Sequence, residues 1–356
     1  LFRDARPQYL RMSGDLSSPD SSQVKIGTLE YALFGEWRHA WNDVFRSSLG
    51  LRWSGLIYDR EQNTKYGLYQ ALEPRVLLEY DLSKTHRFHA SFCVQRQYLN
   101  QVSVSKMGLP SDFWLPSSEN IPAQTATGPS LGYRFRNRTC EFSADVFYKK
   151  LDHQFFSAVG MSEMLSKPID LYQRFWNGSG ENYGAEFFYR TKFHKLALQL
   201  SYTLSWAQRN CEQIDQGKIF DASNDRRHDF SCLLMYPLGT HWDFTANFVF
   251  ATGQPYTPTL GMYLIGERNV QVFGSYNSVR LPDYHRLDVS FSRDLNIRFF
   301  HKSRINFSVM NVYGRQNPFF LYSTVIVNPD PVSFSTLYQY MCLFGFLPSV
   351  GLSFTL

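Results

Sequence analysis

Nowhere in this chain does an apolar run approach the roughly 20 residues that a membrane-spanning helix requires. With a mean hydropathy of −0.32, a helical membrane protein is excluded. Cysteine is scarce: Cys93, Cys140, Cys211, Cys232 and Cys342 are widely spaced, odd in number and without a Cys-x-x-Cys pair. That pattern argues against a thiolate metal site and leaves room for one disulfide or none. Cys232, in phase with Phe230 and Leu234, reads as a small apolar residue on an outward face. Neither sign of charge dominates. The chain has 36 Lys and Arg against 31 Asp and Glu, a net of +5, and the cations form no stripe, so a nucleic-acid partner is not expected. Gly-x-Gly-x-x-Gly, P-loop and His-Glu-x-x-His patterns are absent, and with them the usual signs of a bound cofactor or catalytic metal. The opening residues, Leu1-Phe2-Arg3-Asp4-Ala5-Arg6, include no initiator Met and no apolar signal stretch, so the chain is expected to continue a longer precursor.

What the chain has in abundance is alternation. Leu196, Leu198, Leu200, Tyr202, Leu204 and Trp206 take turns with Ala197, Gln199, Ser201, Thr203 and Ser205. Successive side chains of a strand point to opposite faces, so this segment has one apolar and one hydrophilic side. A soluble sheet buries its apolar side under a second layer, whereas a transmembrane barrel turns it toward lipid and keeps the polar side inward. Aromatics make up 17% of the 356 residues, more than a soluble core needs and suited to aromatic girdles at two membrane interfaces. The expected fold is an all-β, antiparallel transmembrane β-barrel of the bacterial outer membrane, with lipid as its outer partner.

Thirteen strands are expected: 25–37, 44–58, 71–80, 86–95, 125–135, 141–149, 182–189, 195–207, 227–236, 242–251, 284–294, 304–313 and a terminal stretch from about Tyr338 to Leu356. Short turns at 39–42, 81–85, 136–139, 193–194, 237–240 and 296–303 alternate with long loops at 96–124, 151–181, 208–226, 253–283 and 314–337. Short periplasmic turns opposite long extracellular loops are the asymmetry of outer-membrane barrels. Thirteen strands leave an odd count, and an open edge in lipid strands a row of unpaired backbone groups. The chain therefore reads as the C-terminal part of a larger barrel. The alternative is a smaller, complete barrel acting as a passive or substrate-specific channel, with a fourteenth strand in Arg3 to Ser18 or near Gly345 to Pro348.

Chemistry-bearing clusters mostly dissolve under the same period. In Asp225-Arg226-Arg227-His228-Asp229 the adjacent His228 and Asp229 point to opposite faces, so the run reads as structural rim charge rather than an acid/base pair. His285 with Asp288, and His86 with His89, likewise diverge and make no metal site. No enzyme activity is expected. The substrate-binding candidates are exposed loop residues: Phe113, Trp114, Phe175, Trp176, Tyr256 and Tyr276, which can stack on ligand rings or sugars, with Arg174 and Arg268 for anionic groups. The same aromatics also suit loop packing. Arg52, Glu73, Arg75, Glu79 and Asp145 are expected to line the lumen.

Several phrases, in order, resemble the C-terminal half of a TonB-dependent receptor of the large branch found in Bacteroidetes. They are Leu72-Glu73-Pro74-Arg75, the Gly108 to Ile121 run GLPSDFWLPSSENI, Tyr183-Gly184-Ala185-Glu186, the Ser201 to Trp206 run SYTLSW, Asp225 to Phe230, Leu281 to Asp288, and Asn311 to Phe320. The resemblance implies a 22-stranded barrel with a plugged lumen, of which strands ten to twenty-two would be present. It implies uptake of a scarce, bulky nutrient (an iron chelate, cobalamin, a glycan or a peptide) powered by the TonB complex through an N-terminal plug. Plug, TonB box and early strands have no counterpart here, so residues 1–356 read as one barrel portion without a plug domain. A surface lipoprotein is a further partner such receptors can have. The final strand alternates Val350, Leu352, Phe354 and Leu356 with small residues, ending in Leu where that family usually has Phe.

Overall fold

The computed structural model describes residues 2–5, 26–59, 66–102, 113–118, 121–157, 175–265, 268–295, 302–329 and 332–355. Fourteen strands lie side by side in one antiparallel sheet. They are β1 (Phe2–Ala5), β2 (Ile26–Ala40), β3 (Phe45–Asp59), β4 (Tyr66–Asp81), β5 (His86–Gln97), β6 (Gln124–Arg136), β7 (Cys140–Ser157), β8 (Phe175–Phe193), β9 (Leu196–Asn210), β10 (His228–Leu238), β11 (Trp242–Ala251), β12 (Tyr284–Leu295), β13 (Lys302–Met310) and β14 (Leu347–Thr355). Each pairs with the next in sequence, an up-and-down meander. The two-residue strand Phe220–Asp221 is a fifteenth member paired to β9. The path is open: among the described residues no pairing joins β1 to β14.

β2 to β14 match the thirteen expected strands one for one, and β1 is an addition at the edge of β2. Several boundaries move: β7 runs on to Ser157 and β8 begins at Phe175, inside the expected 151–181 loop, and the last strand changes most. Residues 338–341 belong to a separate hairpin, Phe320–Pro329 with Val332–Met341, and the last wall strand begins only at Leu347. The hairpin alternates apolar and polar residues as the wall does, which is why periodicity merges the two.

Register lines up the apolar side from strand to strand. Leu33 sits opposite Trp53, and Trp53 opposite Leu72. Further along, Tyr236, Phe244, Phe291, Phe307 and Val350 form a row across five strands, with the Phe244 and Phe291 rings 5.0 Å apart. Among the described residues nothing covers this side: Leu33 is 66% exposed, Leu72 60%, Leu131 58% and Val350 67%. Soluble monomers rarely leave such a continuous apolar surface bare, whereas a lipid-facing wall must. No described helix is long and apolar enough to cross a membrane. Toward the short-turn end the belt turns aromatic, with Trp37, Trp41, Tyr80 and Phe193 exposed.

Turn chemistry fixes the short end. The Asn42 Oδ1 accepts from the Val44 and Phe45 amides, and the Asn137 Oδ1 from those of Thr139 and Cys140, side chains standing in for backbone as Asx turns do. Gly239 supplies a φ of +79° between β10 and β11, a conformation glycine adopts freely. The other side of the sheet is polar and charged. Near its short-turn end Arg46 and Arg87 both reach Asp81, at 2.5 and 2.6 Å, and Arg87 reaches Glu79 at 2.9 Å. Higher up, His89 on β5 meets Asp145 on β7 at 2.7 Å across the intervening β6. The residue between them is Gly132, and a Cβ there would collide with both side chains.

Candidate functional site

The first long connection, between β5 and β6, folds back over the polar face. On that face β3 presents Leu56 and Tyr58 and β4 presents Tyr69, an apolar patch in an otherwise charged wall. Tyr98 and Ala123, at the two ends of the connection, pack on it to form a buried cluster. Segments Leu99–Val102 and Phe113–Pro116 pair as a hairpin, the Tyr69 hydroxyl donates to the Ser118 carbonyl at 2.6 Å, and the Gln124 amide donates to Asn100 Oδ1 at 2.6 Å. Leu115 and Ile121 are fully buried. Burial also pushes the Tyr98 phenol above its ordinary pKa, with the Ser54 hydrogen bond opposing and the charge of Glu73 adding to the rise.

Beneath this loop lies a cleft of about 380 Å³, bordered by Arg52, Glu73 and Arg75 from β3 and β4, Gln95, Arg96 and Gln97 from β5, Gln124 and Thr125 from β6, and Leu151 and Gln154 from β7. Glu73 is 3% exposed. It is held there by the Ser54 hydroxyl, which donates to it and lies 3.0 Å from the Tyr98 hydroxyl. Arg52 Nε is 3.7 Å from Glu73, and its terminal nitrogen 4.0 Å from Glu30. Gln154 donates to Gln124 at 2.7 Å, continuing a chain of carboxamides to Asn100. The cleft is thus a rigid frame of charge and amide groups with space between them. Its size is that of a small-molecule site.

A second construction joins two further loops. Cys211, Ile214 and Phe220 are buried together, with Phe156, Trp176 and Tyr276 packed against them. Beside this cluster Asp225, 1% exposed, takes the Arg280 guanidinium at 2.5 Å and the Ala207 amide at 2.7 Å. Arg280 reaches Asp221 as well, also at 2.5 Å. Arg227 stands 3.7 Å from both aspartates and stacks over the Trp206 ring at 4.7 Å. The Tyr276 amide donates to Asp215 at 2.6 Å. Burial raises the Tyr276 phenol, with Cys211 contributing in the same direction.

The residues singled out from sequence are scattered among these features. Trp114 is exposed on the hairpin above the cleft. Phe113 pairs through its backbone with Val102. Phe175 is buried, its ring 5.4 Å from that of Phe155. Trp176 and Tyr276 are brought together in the loop cluster, Tyr276 with its ring 4.8 Å from Phe220. Tyr256 is half-buried, its phenol raised by burial and by Tyr338. Arg268 begins a short strand, Arg268–Phe273, and Arg174 lies outside the described residues. Arg52, Glu73 and Arg75 do share the polar face, as strand parity predicts. Two things escape sequence reading. Gln124 and Gln154 join the cleft only through pairing across strands, and Asp225, read as structural rim charge, is a hub buried to 1% exposure. All five cysteines are free thiols.

A family model described as TonB dependent receptor-like, beta-barrel, matches residues 2–312. No curated protein matches the sequence. Among solved structures, the chain is similar to the FrpB iron transporter of Neisseria meningitidis (F3-3 variant), with 13% identity, a TM-score of 0.60, and coverage of 92% of this chain and 45% of that one. The ferric yersiniabactin uptake receptor FyuA of Yersinia pestis also has 13% identity and a TM-score of 0.60, covering 92% and 44%. The ferric citrate transporter FecA in its unliganded form has 14% identity and a TM-score of 0.59, covering 96% and 47%. The chain thus spans less than half the length of each of these proteins.

Proposed function

Because this chain belongs to the TonB-dependent receptor-like β-barrel family, we propose that it forms the C-terminal barrel portion of an outer-membrane receptor that takes up a scarce, bulky nutrient by TonB-dependent transport. Iron chelates, cobalamin, glycans and peptides are the substrate classes in view. The observation that carries the reading is the two-sided wall: an apolar face that none of the described residues covers, and a polar face over which a long loop folds. Among the described residues both edges of the sheet are unpaired, which supports its being part of a larger barrel, since each would leave unpaired backbone groups in lipid at several kcal/mol apiece. The remaining partners follow from that reading: earlier strands to complete the wall, a plug to fill it and connect to TonB, and a surface lipoprotein where the receptor has a lid. The ordered phrases around Leu72-Glu73-Pro74-Arg75 and Asp225 to Phe230 support the Bacteroidetes branch. The chain's role is binding and passage rather than covalent chemistry.

The alternative of a complete fourteen-stranded channel gains an even count from β1. Residues 6–18 of the expected fourteenth strand lie outside the described residues, and among the described residues β1 has no pairing to β14. The test is genetic. The coding region upstream is expected to continue into a plug and further strands, and deletion of either the whole gene or the TonB gene is expected to abolish growth on the same limiting nutrient. Growth that depends on the gene but not on TonB would replace active uptake with passive diffusion.

A further inference from the structure

The cleft under the first long loop differs in charge from the polar face just below it. Lower on the same two strands, β3 and β5, Arg46 and Arg87 each have a carboxylate within 2.6 Å. In the cleft, Arg52 lies between Glu73 and Glu30, and Glu73 is already occupied by Ser54 and Arg52. Among the described residues neither Arg75 nor Arg96 has a carboxylate within ion-pairing reach. A second observation points the same way. Thr125, 8% exposed, borders the cleft with a buried hydroxyl that has no hydrogen-bond partner, and buried polar groups are normally satisfied. Around these groups stand the carboxamides of Gln95, Gln97 and Gln124.

Excess guanidinium charge calls for oxyanions, which it binds with two parallel hydrogen bonds. Arg75 and Arg96 come from different strands, and the space of about 380 Å³ is larger than one inorganic phosphate needs. That combination calls for separated charges on a polar skeleton. We propose that the cleft is a binding site for a small polycarboxylate arriving from the long-loop side, with Arg75 and Arg96 each taking a carboxylate and Thr125 and the glutamines taking its hydroxyl or carbonyl oxygens. The proposal rests on the receptor reading and narrows its substrate to anionic, carboxylate-bearing ligands.

Calorimetry on the full-length receptor in detergent, with citrate as probe, tests it. Wild-type protein binds citrate, and more weakly as salt is raised. Arg75→Gln and Arg96→Gln each weaken binding about tenfold and together about a hundredfold, Arg75→Lys recovers part of the loss, and the uncharged trimethyl ester of citrate does not bind. Heat-modifiable gel migration verifies that every variant is folded. Equal citrate affinity in all variants overturns the assignment, as does inorganic phosphate binding as tightly as citrate. Absence of citrate binding to the wild type also overturns it, and leaves the cleft to a carboxylate of the receptor's own chain. None of these failures touches TonB-dependent growth, which tests the receptor reading by itself.

Discussion

Two arginine clusters at the long-loop end of this sheet use the same residue type to opposite ends. In the clamp between the 211–227 and 252–283 connections, Arg227 and Arg280 face Asp221 and Asp225, two cations against two anions, with Asp225 buried. In the cleft, Arg52 is shared between Glu73 and Glu30, while Arg75 and Arg96 have no carboxylate in ion-pair contact among the described residues. Charge balance separates the roles. A neutral, hydrogen-bonded set holds loops in place, because each partner is needed to offset the burial of the other. A set with cations to spare contributes little to stability and leaves its unused donors for something that is not part of the chain. Arginine count alone would not have told the clamp from the cleft.

The sharpest way to break this contrast is at the clamp. Asp225→Ala leaves two guanidinium groups to Asp221 alone and strands the Ala207 amide that Asp225 now satisfies, and removing one partner of such a buried set costs about 3 to 5 kcal/mol. Hydrogen exchange is expected to show the 211–227 and 252–283 connections opening together while the wall strands stay protected. Exchange confined to one connection would mean that the aromatic cluster, rather than the ion pairs, joins them. Next in size is a test of the wall from which both clusters hang. Leu200 and Phe248 lie on the apolar face, in register with Cys232 between them, and an Arg at either position near mid-depth is expected to cost roughly 2 to 4 kcal/mol in folding into lipid. A loss below about 0.5 kcal/mol, typical of an ordinary surface change, would mean that this face does not meet hydrocarbon, and the long-loop end would lose its meaning as an outer rim.

How far each cluster could be read from sequence follows the same physics. A period of two is a property of single strands, so the wall was legible: Leu196 to Trp206 announced β9, and Glu73 and Arg75 were assigned to the polar side by parity. That period is equally obeyed by a hairpin that pairs apart from the wall, so Tyr338 to Met341 read as wall and is loop hairpin. It also fades where strands leave the bilayer and both faces turn polar, as in Asn177-Gly178-Ser179-Gly180 at the start of β8, which begins seven residues before the expected Asn182. The clusters themselves depend on contacts between distant segments. Nothing local to Gln124 and Gln154, thirty residues apart, or to Asp225 and Arg280 says that they meet. Parity could say which way Arg75 points, but not whether an anion waits for it.

Smaller effects sharpen the contrast from the cleft side. Arg75→Gln, expected above to weaken citrate binding, is expected to change folding stability by less than about 0.5 kcal/mol, because no partner is left stranded. A destabilisation comparable to that of Asp225→Ala would show that Arg75 is structural, and the two clusters would then differ in degree only.

The smallest expected effect is silent at neutral pH and concerns the clamp alone. Burial raises the Tyr276 phenol above its ordinary value, so the folded loops hold that proton more tightly than the unfolded chain does. The stabilisation this brings is complete below the ordinary tyrosine pKa of about 10 and is lost as pH rises through the higher folded value. Ultraviolet titration of tyrosinate in the wild type and in Tyr276→Phe should therefore differ by one step lying above that of exposed tyrosines, with the loops loosening in parallel. If the missing step lies at or below the ordinary value, the Tyr276 ring is solvated, and the ion pairs of Asp221 and Asp225 would be holding the loops without an apolar cluster beside them.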